Sequence, residues 1–298
     1  MDRYKEIIPD FEKFKEVVKT HQPFDCRVNS LKTSVEEVKQ HFKDEGITFE
    51  QRDWNKNFLK LDKRPGKTYA HWLGKVYVQE STSAVPPLAF DFSKKDVEKT
   101  KVLDMCAAPG SKTTQISGIM ENKGEITAND VKSQRTRSLL ANIYRLGCLN
   151  VKVTEQDARD IKENGGSKKY DKVLVDVPCT AEGNLREKDY LKKGVQVKDS
   201  KNMSELQRQI LEKAFKLCKK GGEVVYSTCT FSPEENEMVV KDFLDKGMLE
   251  NPGFSFPHSK GITEWNGQTF SEELRKTVRV YPHQIDSGGI FVAKFTKL

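Results

Sequence analysis

Two short runs place a thiol where chemistry is expected. DVPCTAEG (176–183) and YSTCTFSPEENE (226–237) put Cys179 and Cys229 just past apolar stretches that read as β-strands. Asp176 stands three residues ahead of Cys179, so an acid and a thiol aim at one place. After Cys229, Ser232, Pro233 and Glu235 follow the pattern of a capping box: N-cap serine, proline at the first helical position, glutamate at the third. A helix starting there favours a thiolate nearby. Such a thiolate suits addition to a pyrimidine. Carbon 5 of cytosine is a poor nucleophile, but a thiolate on carbon 6 turns the ring into an enamine that accepts an electrophilic methyl group. Protonation of ring nitrogen 3 assists the addition, and Asp176, protonated or sharing a proton, is the candidate acid. A second thiol can aid the later elimination, which gives Cys179 a use. Cys148 and Cys218 follow or end helices and are expected in the core.

The methyl donor needs its own site. In LDMCAAPGSKTTQ (103–115) an apolar strand ends in Asp104, turns through Ala107, Ala108, Pro109 and Gly110, and opens a helix. Small residues let backbone approach a ligand, and open α/β sheets bind ligands at the carboxyl ends of their strands. A triphosphate-binding loop is excluded, because Cys106 and Ser111 occupy the positions where that motif needs glycine. The next strands end in Asp130, placed for ribose hydroxyls, in Asp157, placed for an adenine amine, and in Asp176. Four consecutive strand ends bearing Asp are hard to ascribe to turn preference alone.

These elements alternate: strands at 101–105, 124–130, 151–157, 171–178 and 223–229, with helices at 111–121, 132–147, 203–220 and from about 233. Two further strands surround a Gly-rich turn at the end. The pattern predicts an α/β fold, a doubly wound, mostly parallel sheet with an antiparallel C-terminal hairpin, as in Rossmann-like methyltransferases. Ahead of it lies a lysine-rich α+β module: a charged helix over 2–20, a strand over RVNSLK (27–32), a helix over 34–46 capped by Ser34 and stopped by Gly46, and strands near 57–61 and 75–79. A linker at 92–100 divides residues 1–95 from 96–298.

Composition narrows the class. The chain has 298 residues, 36% hydrophobic and 32% charged, with net charge +7. No stretch approaches the roughly 20 apolar residues of a membrane span, and the N-terminus lacks the apolar run of a signal peptide. A cytoplasmic location is expected. Six cysteines without a C-x-x-C pair predict neither zinc nor disulfides. The mild positive excess fits a polyanionic partner.

Taken together, RVNSLK (27–32), YVQESTSAVPPLAF (77–90), DMCAAPGSKTTQ (104–115), the Asp130 and Asp157 strand ends, both cysteine motifs and RVYPH…GGIFVAKF (279–295) resemble the NOL1/NOP2/Sun family of RNA cytosine-5 methyltransferases. The resemblance implies that Cys229 is the nucleophile and that Cys179 aids product release. DNA cytosine-5 enzymes attack with the other cysteine and lack the second. It implies S-adenosylmethionine as cofactor, held by Cys106, Ala107, Ala108, Pro109, Gly110, Ser111 and Lys112 with Asp130, Arg135, Asp157 and Asp176. Lys112 is expected near the reacting base. Ser111 in place of a common glycine, and the run Thr180–Gly183, depart from the family pattern. The first module is expected to resemble an RNA-recognition motif, with Arg27, Asn29 and Lys32 touching RNA or the other domain. The basic loop 186–198 is a candidate phosphate contact. The partner is RNA, preferably tRNA because the compact form resembles archaeal tRNA enzymes, with ribosomal RNA second; a monomer is expected. The competing classes are a non-catalytic RNA-binding or assembly protein on this fold and a methyltransferase of protein or DNA.

Overall fold

A computed structural model describes residues 1–93, 96–162, 169–187 and 195–298. The single helix expected over 2–20 is a 3-10 turn at Asp2–Tyr4 followed by α1 (Phe11–Val17). Pro9 separates them: it donates no N–H and biases Ile8 away from helical angles, and Asp10 then turns with φ 50°.

The first sheet is built from β1 (Phe24–Val28), α2 (Val35–Asp44), β2 (Phe49–Gln51), β3 (Phe58–Leu61), α3 (Tyr69–Trp72) and β4 (Val76–Val78). Helix α2 begins as expected, with Ser34 Oγ accepting from Glu37 N at 3.2 Å. β1 stops at Val28 instead of running over 27–32, because Asn29 opens a turn closed by Lys32 N to Asn29 O at 3.0 Å. The strands pair antiparallel in the order β2-β3-β1-β4, the split βαβ arrangement. Alternation sends Cys26, Val28, Leu59, Leu61 and Val76 toward Val38, Phe42 and Ala70 on the helices. Asp25, Arg27 and Tyr77 therefore lie on the opposite face. Part of the expected linker is a 3-10 turn at Val97–Lys99; Lys94 and Lys95 lie outside the described residues.

After α4 (Val85–Leu88) the second sheet develops from β5 (Lys101–Asp104), α5 (Ser111–Ile119), β6 (Glu125–Asn129), α6 (Ser133–Leu146), β7 (Val151–Thr154), β8 (Tyr170–Asp176), α7 (Val197–Leu217) and β9 (Cys218–Thr228). It continues through α8 (Glu237–Val240), β10 (Gly247–Glu250), β11 (Ser259–Lys260), the small β12 (Glu264–Trp265) and β13 (Gln268–Thr269) pair, β14 (Val278–Val280), α9 (Pro282–Ile285) and β15 (Ile290–Lys297). The order is β11-β14-β15-β9-β8-β5-β6-β7, with β10 also on β15. β5 to β9 pair in parallel, and β15 enters antiparallel against β9. This is the doubly wound sheet with a terminal hairpin that the alternation predicted. Central strands are covered on both faces, so Val173, Leu174, Val175, Val224, Val225 and Tyr226 are fully buried. Strand order reverses at β5, which opens a crevice where β5 and β8 end.

Three boundaries differ from expectation. α7 begins at Val197, ahead of 203. It ends at Leu217, and Gly221 and Gly222 lie inside β9 instead of stopping the helix. A side chain on Gly222 would stand 2.8 Å from Asp171 O, so the glycine permits close approach of β8. The helix expected from 233 begins only at Glu237. No helix among the described residues is long and apolar enough to cross a membrane.

Candidate active site

β8 and β9 are parallel neighbours with Asp176 opposite Ser227, so both end at one rim and their next loops meet. The two sulfur atoms that result are 3.2 Å apart. Cys229 N donates to Cys179 Sγ at 3.3 Å, and Asn184 Nδ2 reaches Cys229 Sγ at 3.7 Å. The hydrogen bond to Cys229, then burial, pushes the Cys179 thiol up, which favours its protonated form. Beside them Lys112 Nζ lies 2.7 Å from Asp176 Oδ2, and Ser227 Oγ donates to Asp176 Oδ1 at 2.7 Å. Burial alone would lower the Lys112 ammonium; Asp176 outweighs it, and the net direction is up. Asp176 is thus held in an ion pair, with the proton on Lys112.

The expected capping box is not formed. Ser232 Oγ donates to Glu234 Oε2 at 2.7 Å. Glu235 faces the Cys179 loop instead, accepting from Thr180 N at 3.0 Å, Thr180 Oγ1 at 2.5 Å and Gln207 Nε2 at 2.9 Å. These buried donors take the carboxylate that the box would use. With the helix start deferred to Glu237, the dipole argument for Cys229 falls, and its sulfur is met by an amide and a thiol. The backbone here is tightly layered. Gly183 N donates to Cys229 O at 2.8 Å, and Gly289 N donates to Gly183 O at 3.0 Å. A side chain on Gly183 would stand 2.3 Å from Gly289 O.

A cleft opens next to this rim. Cys106, Asp130, Arg135 and Asp157 line it, as expected, together with apolar Met105, Val131, Leu206 and Ile210. Asp130 follows β6 directly and Asp157 lies three residues past β7. Asp130 Oδ2 accepts from Ala108 N at 3.2 Å and pairs with Arg135 Nη1 at 3.2 Å, while Arg135 also donates to Ala108 O. Arg159 grips both Asp157 oxygens, at 3.0 and 2.7 Å, and holds its carboxyl down at about 2. Ala107, Ala108, Pro109 and Gly110 form the turn beside the cleft, and Ser111 opens α5. Gly110 has φ 105°, and a side chain there would stand 2.8 Å from Leu139 Cδ1. Asp104 does not join the open edge: it is buried, bonded to Thr113 Oγ1 at 2.7 Å, and burial pushes it up to about 7.

Residues 93–296 match the family model described as 16S rRNA methyltransferase RsmB/F. The chain belongs to this family. It is 35% identical to the "tRNA (cytosine(49)-C(5))-methyltransferase" of Pyrococcus abyssi, over all of this chain and 95% of that one. It is 36% identical to "Ribosomal RNA small subunit methyltransferase F" of Shewanella piezotolerans over 91% of this chain, but spans only 57% of that protein. A solved methyltransferase homolog from Pyrococcus horikoshii superimposes with TM-score 0.83 at 33% identity, covering 100% of this chain and 94% of that one. NSun6 from Pyrococcus horikoshii, solved with SFG, gives 0.83 at 27%, covering 99% and 97%.

In this RsmB/F-family chain Arg27, Asn29 and Lys32 all hold the first sheet to the second. Arg27 is buried and donates to Gln79 Oε1 at 2.7 Å and Thr114 Oγ1 at 2.9 Å. Asn29 Nδ2 bridges Gly74 O and Leu146 O, each at 2.8 Å, and Lys32 Nζ reaches Arg145 O at 2.7 Å. Of the two expectations for this pattern, contact between domains is the one formed. Arg186, at the head of the basic loop, is buried and bonds Ser287 O, His21 O and Asp286 Oδ1; residues 188–194 lie outside the described residues. Sequence reasoning missed Asn184, Glu235 and the apolar lining. Val131, next to Asp130, carried a signal, being an apolar residue just past a strand's carboxyl end, where open α/β sheets bind ligands.

Proposed function

We propose that this protein methylates carbon 5 of a cytosine in RNA, with tRNA as the preferred substrate. The observation that carries the reading is the pair of sulfurs 3.2 Å apart, flanked by the Lys112–Asp176 ion pair and adjoining the cleft. The cleft fits S-adenosylmethionine: an apolar slot of Met105, Val131, Leu206 and Ile210 suits a purine, Asp130 suits ribose hydroxyls, and Asp157 can accept from an exocyclic amine. When bound, that cofactor supplies an electrophilic methyl group.

The residues of the chain do the rest. Cys229, as thiolate, adds to carbon 6, and the electron pair moves to carbon 5. The Lys112–Asp176 pair shares its proton with ring nitrogen 3, which carries developing charge. Once carbon 5 bears the methyl group, water takes its hydrogen as a proton, the C–H electron pair re-forms the carbon 5–carbon 6 double bond and expels the Cys229 sulfur as thiolate, Cys179 gives that sulfur a proton, and ring nitrogen 3 returns its proton to the Lys112–Asp176 pair. The overlap with nearly all of a tRNA-named archaeal relative supports tRNA. The same overlap, together with the enzyme's charged composition, supports a cytoplasmic enzyme. The test incubates the protein with labelled S-adenosylmethionine and, separately, unmodified tRNA and a ribosomal RNA fragment, then maps 5-methylcytosine. Labelled 5-methylcytosine in tRNA is expected; transfer only to ribosomal RNA, or none to cytosine, overturns the corresponding part.

A further inference from the structure

The first eight residues do not join the first sheet. They cross to the rim that bears the two cysteines. Tyr4 is buried, edge-on to Phe231 at 6.2 Å and stacked on Trp265 at 6.1 Å. Arg3 Nη2 pairs with Glu234 at 2.6 Å, Trp265 Nε1 donates to the same oxygen at 3.1 Å, and Tyr281 OH donates to Ile7 O at 3.1 Å. The strap is anchored at both ends.

Its tip touches the catalytic loops. Tyr4 OH donates to Glu182 Oε2 at 2.6 Å, and Thr230 Oγ1 donates to the same oxygen at 3.0 Å. Thr230 and Thr180 hydroxyls lie 2.8 Å apart, and Thr180 Oγ1 meets Glu235 Oε1 at 2.5 Å; two hydroxyl protons serve three links, so the run Glu182–Thr230–Thr180–Glu235 closes with one carboxyl protonated, the direction in which burial pushes both. Thr180 follows Cys179, and Thr230 follows Cys229. The network therefore ties the residue after each sulfur to the other. Glu182, in the stretch that departs from the family pattern, is buried, and Ala181 turns with φ 59° to deliver it. Burial pushes Glu182 up, and the donors from Tyr4 and Thr230 offset this only in part. Burial also pushes the Tyr4 hydroxyl far up, so it remains a donor.

We infer that Tyr4 and Glu182 are positioning residues, which fix the spacing of the Cys179 and Cys229 loops by clamping Thr230 against Thr180. The inference rests on the proposed roles of the two cysteines. It binds a segment 178 residues away in sequence to the chemistry. It also gives a use to the buried Glu182 carboxylate.

The experiment compares Tyr4→Phe and Glu182→Gln with the parent in the full-length enzyme. Phe keeps the aromatic packing and removes only the hydroxyl. Expected is a fall in kcat of about tenfold, as for displaced catalytic groups, with KM and calorimetric affinity for S-adenosylmethionine unchanged and the melting temperature within a few degrees. Cys179→Ala alone and with Tyr4→Phe then reports gel-stable RNA adduct formation; the double variant should form it about tenfold more slowly. Wild-type kcat and adduct rate in both variants overturn the inference. So does a loss of affinity for S-adenosylmethionine equal to the loss of kcat, which marks general loosening. If Cys179→Ala forms no adduct at all, the assignment of the cysteines fails separately, and the kcat of Tyr4→Phe still decides the positioning role.

Discussion

The two sheets of this chain both carry charged groups in buried places, and they treat them differently. On the inner face of the first sheet Asp25 takes Arg52 Nε at 2.9 Å, Arg52 Nη2 at 2.8 Å and Ser81 Oγ at 2.9 Å. Arg27 and Asn29 are likewise bonded by protein on each side. At the rim of the second sheet Cys179, Cys229, Asp176 and Asp157 are only partly covered. The lesson is that polar residues in a strong sequence motif are not by themselves a site. The R-x-N-x-x-K pattern is satisfied internally and works as a fastener, whereas the two cysteine motifs retain capacity for a ligand. It also bears on the first module. In an RNA-recognition motif, bases stack on the open face of the sheet; here the face opposite the helices is turned onto the second sheet.

That contrast can be tested from its strongest point downward. Cys229→Ala should remove methyl transfer almost wholly, by about 10³-fold or more, while leaving thermal unfolding nearly unchanged; the check is radiolabel transfer to RNA alongside a melting curve. Asp25→Ala should do the reverse. Stranding the Arg52 charge should destabilise by about 3 kcal/mol, read by urea unfolding, with activity per folded molecule retained. Activity lost in step with Asp25, at unchanged stability, would erase the distinction between the two sheets.

Asp176→Asn sharpens the picture at the rim. A drop of about a hundredfold in kcat is expected for loss of the shared proton. The pH profile should move as well. Asp176 is what overrides burial and keeps the Lys112 ammonium up, so without it burial prevails and Lys112 loses its proton at lower pH. The alkaline limb should therefore shift downward; an unmoved limb would mean that Lys112 does not hold the working proton. The smallest effect belongs to Lys32→Ala. Its exposed ammonium meets Arg145 O near the end of α6 and Leu73 O just after α3, and its loss should destabilise by about 0.5 kcal/mol, seen as a slight shift in unfolding midpoint and nothing in turnover.

Much of this was legible in the chain itself. Strand and helix alternation from residue 101, the terminal hairpin and the Ser34 cap follow from periodicity and local hydrogen bonding, and the sheet order completes them. Cys179, Cys229, Asp176 and Lys112 were expected together and meet. What escaped depends on partners distant in sequence. Nothing local says that Glu235 abandons Ser232 for Thr180 and Gln207, or that Glu182 waits for Tyr4. The charged helix expected over 2–20 is divided because Pro9 cannot continue the hydrogen-bond ladder between the Asp2–Tyr4 turn and α1. α3 and β2, at four and three residues, are too short for periodicity to reveal.

The layered glycines under Cys229 carry one more implication. Three stretches of main chain, at 183, 229 and 289, are stacked so closely that no methyl group fits between the outer two. A floor of that kind resists bending, so the Cys229 sulfur has little freedom to travel. Under the proposed function, the nucleotide must do the moving: a cytosine held within a helix would have to swing out and descend onto a fixed reagent, and the energetic burden of recognition falls on deforming the nucleic acid.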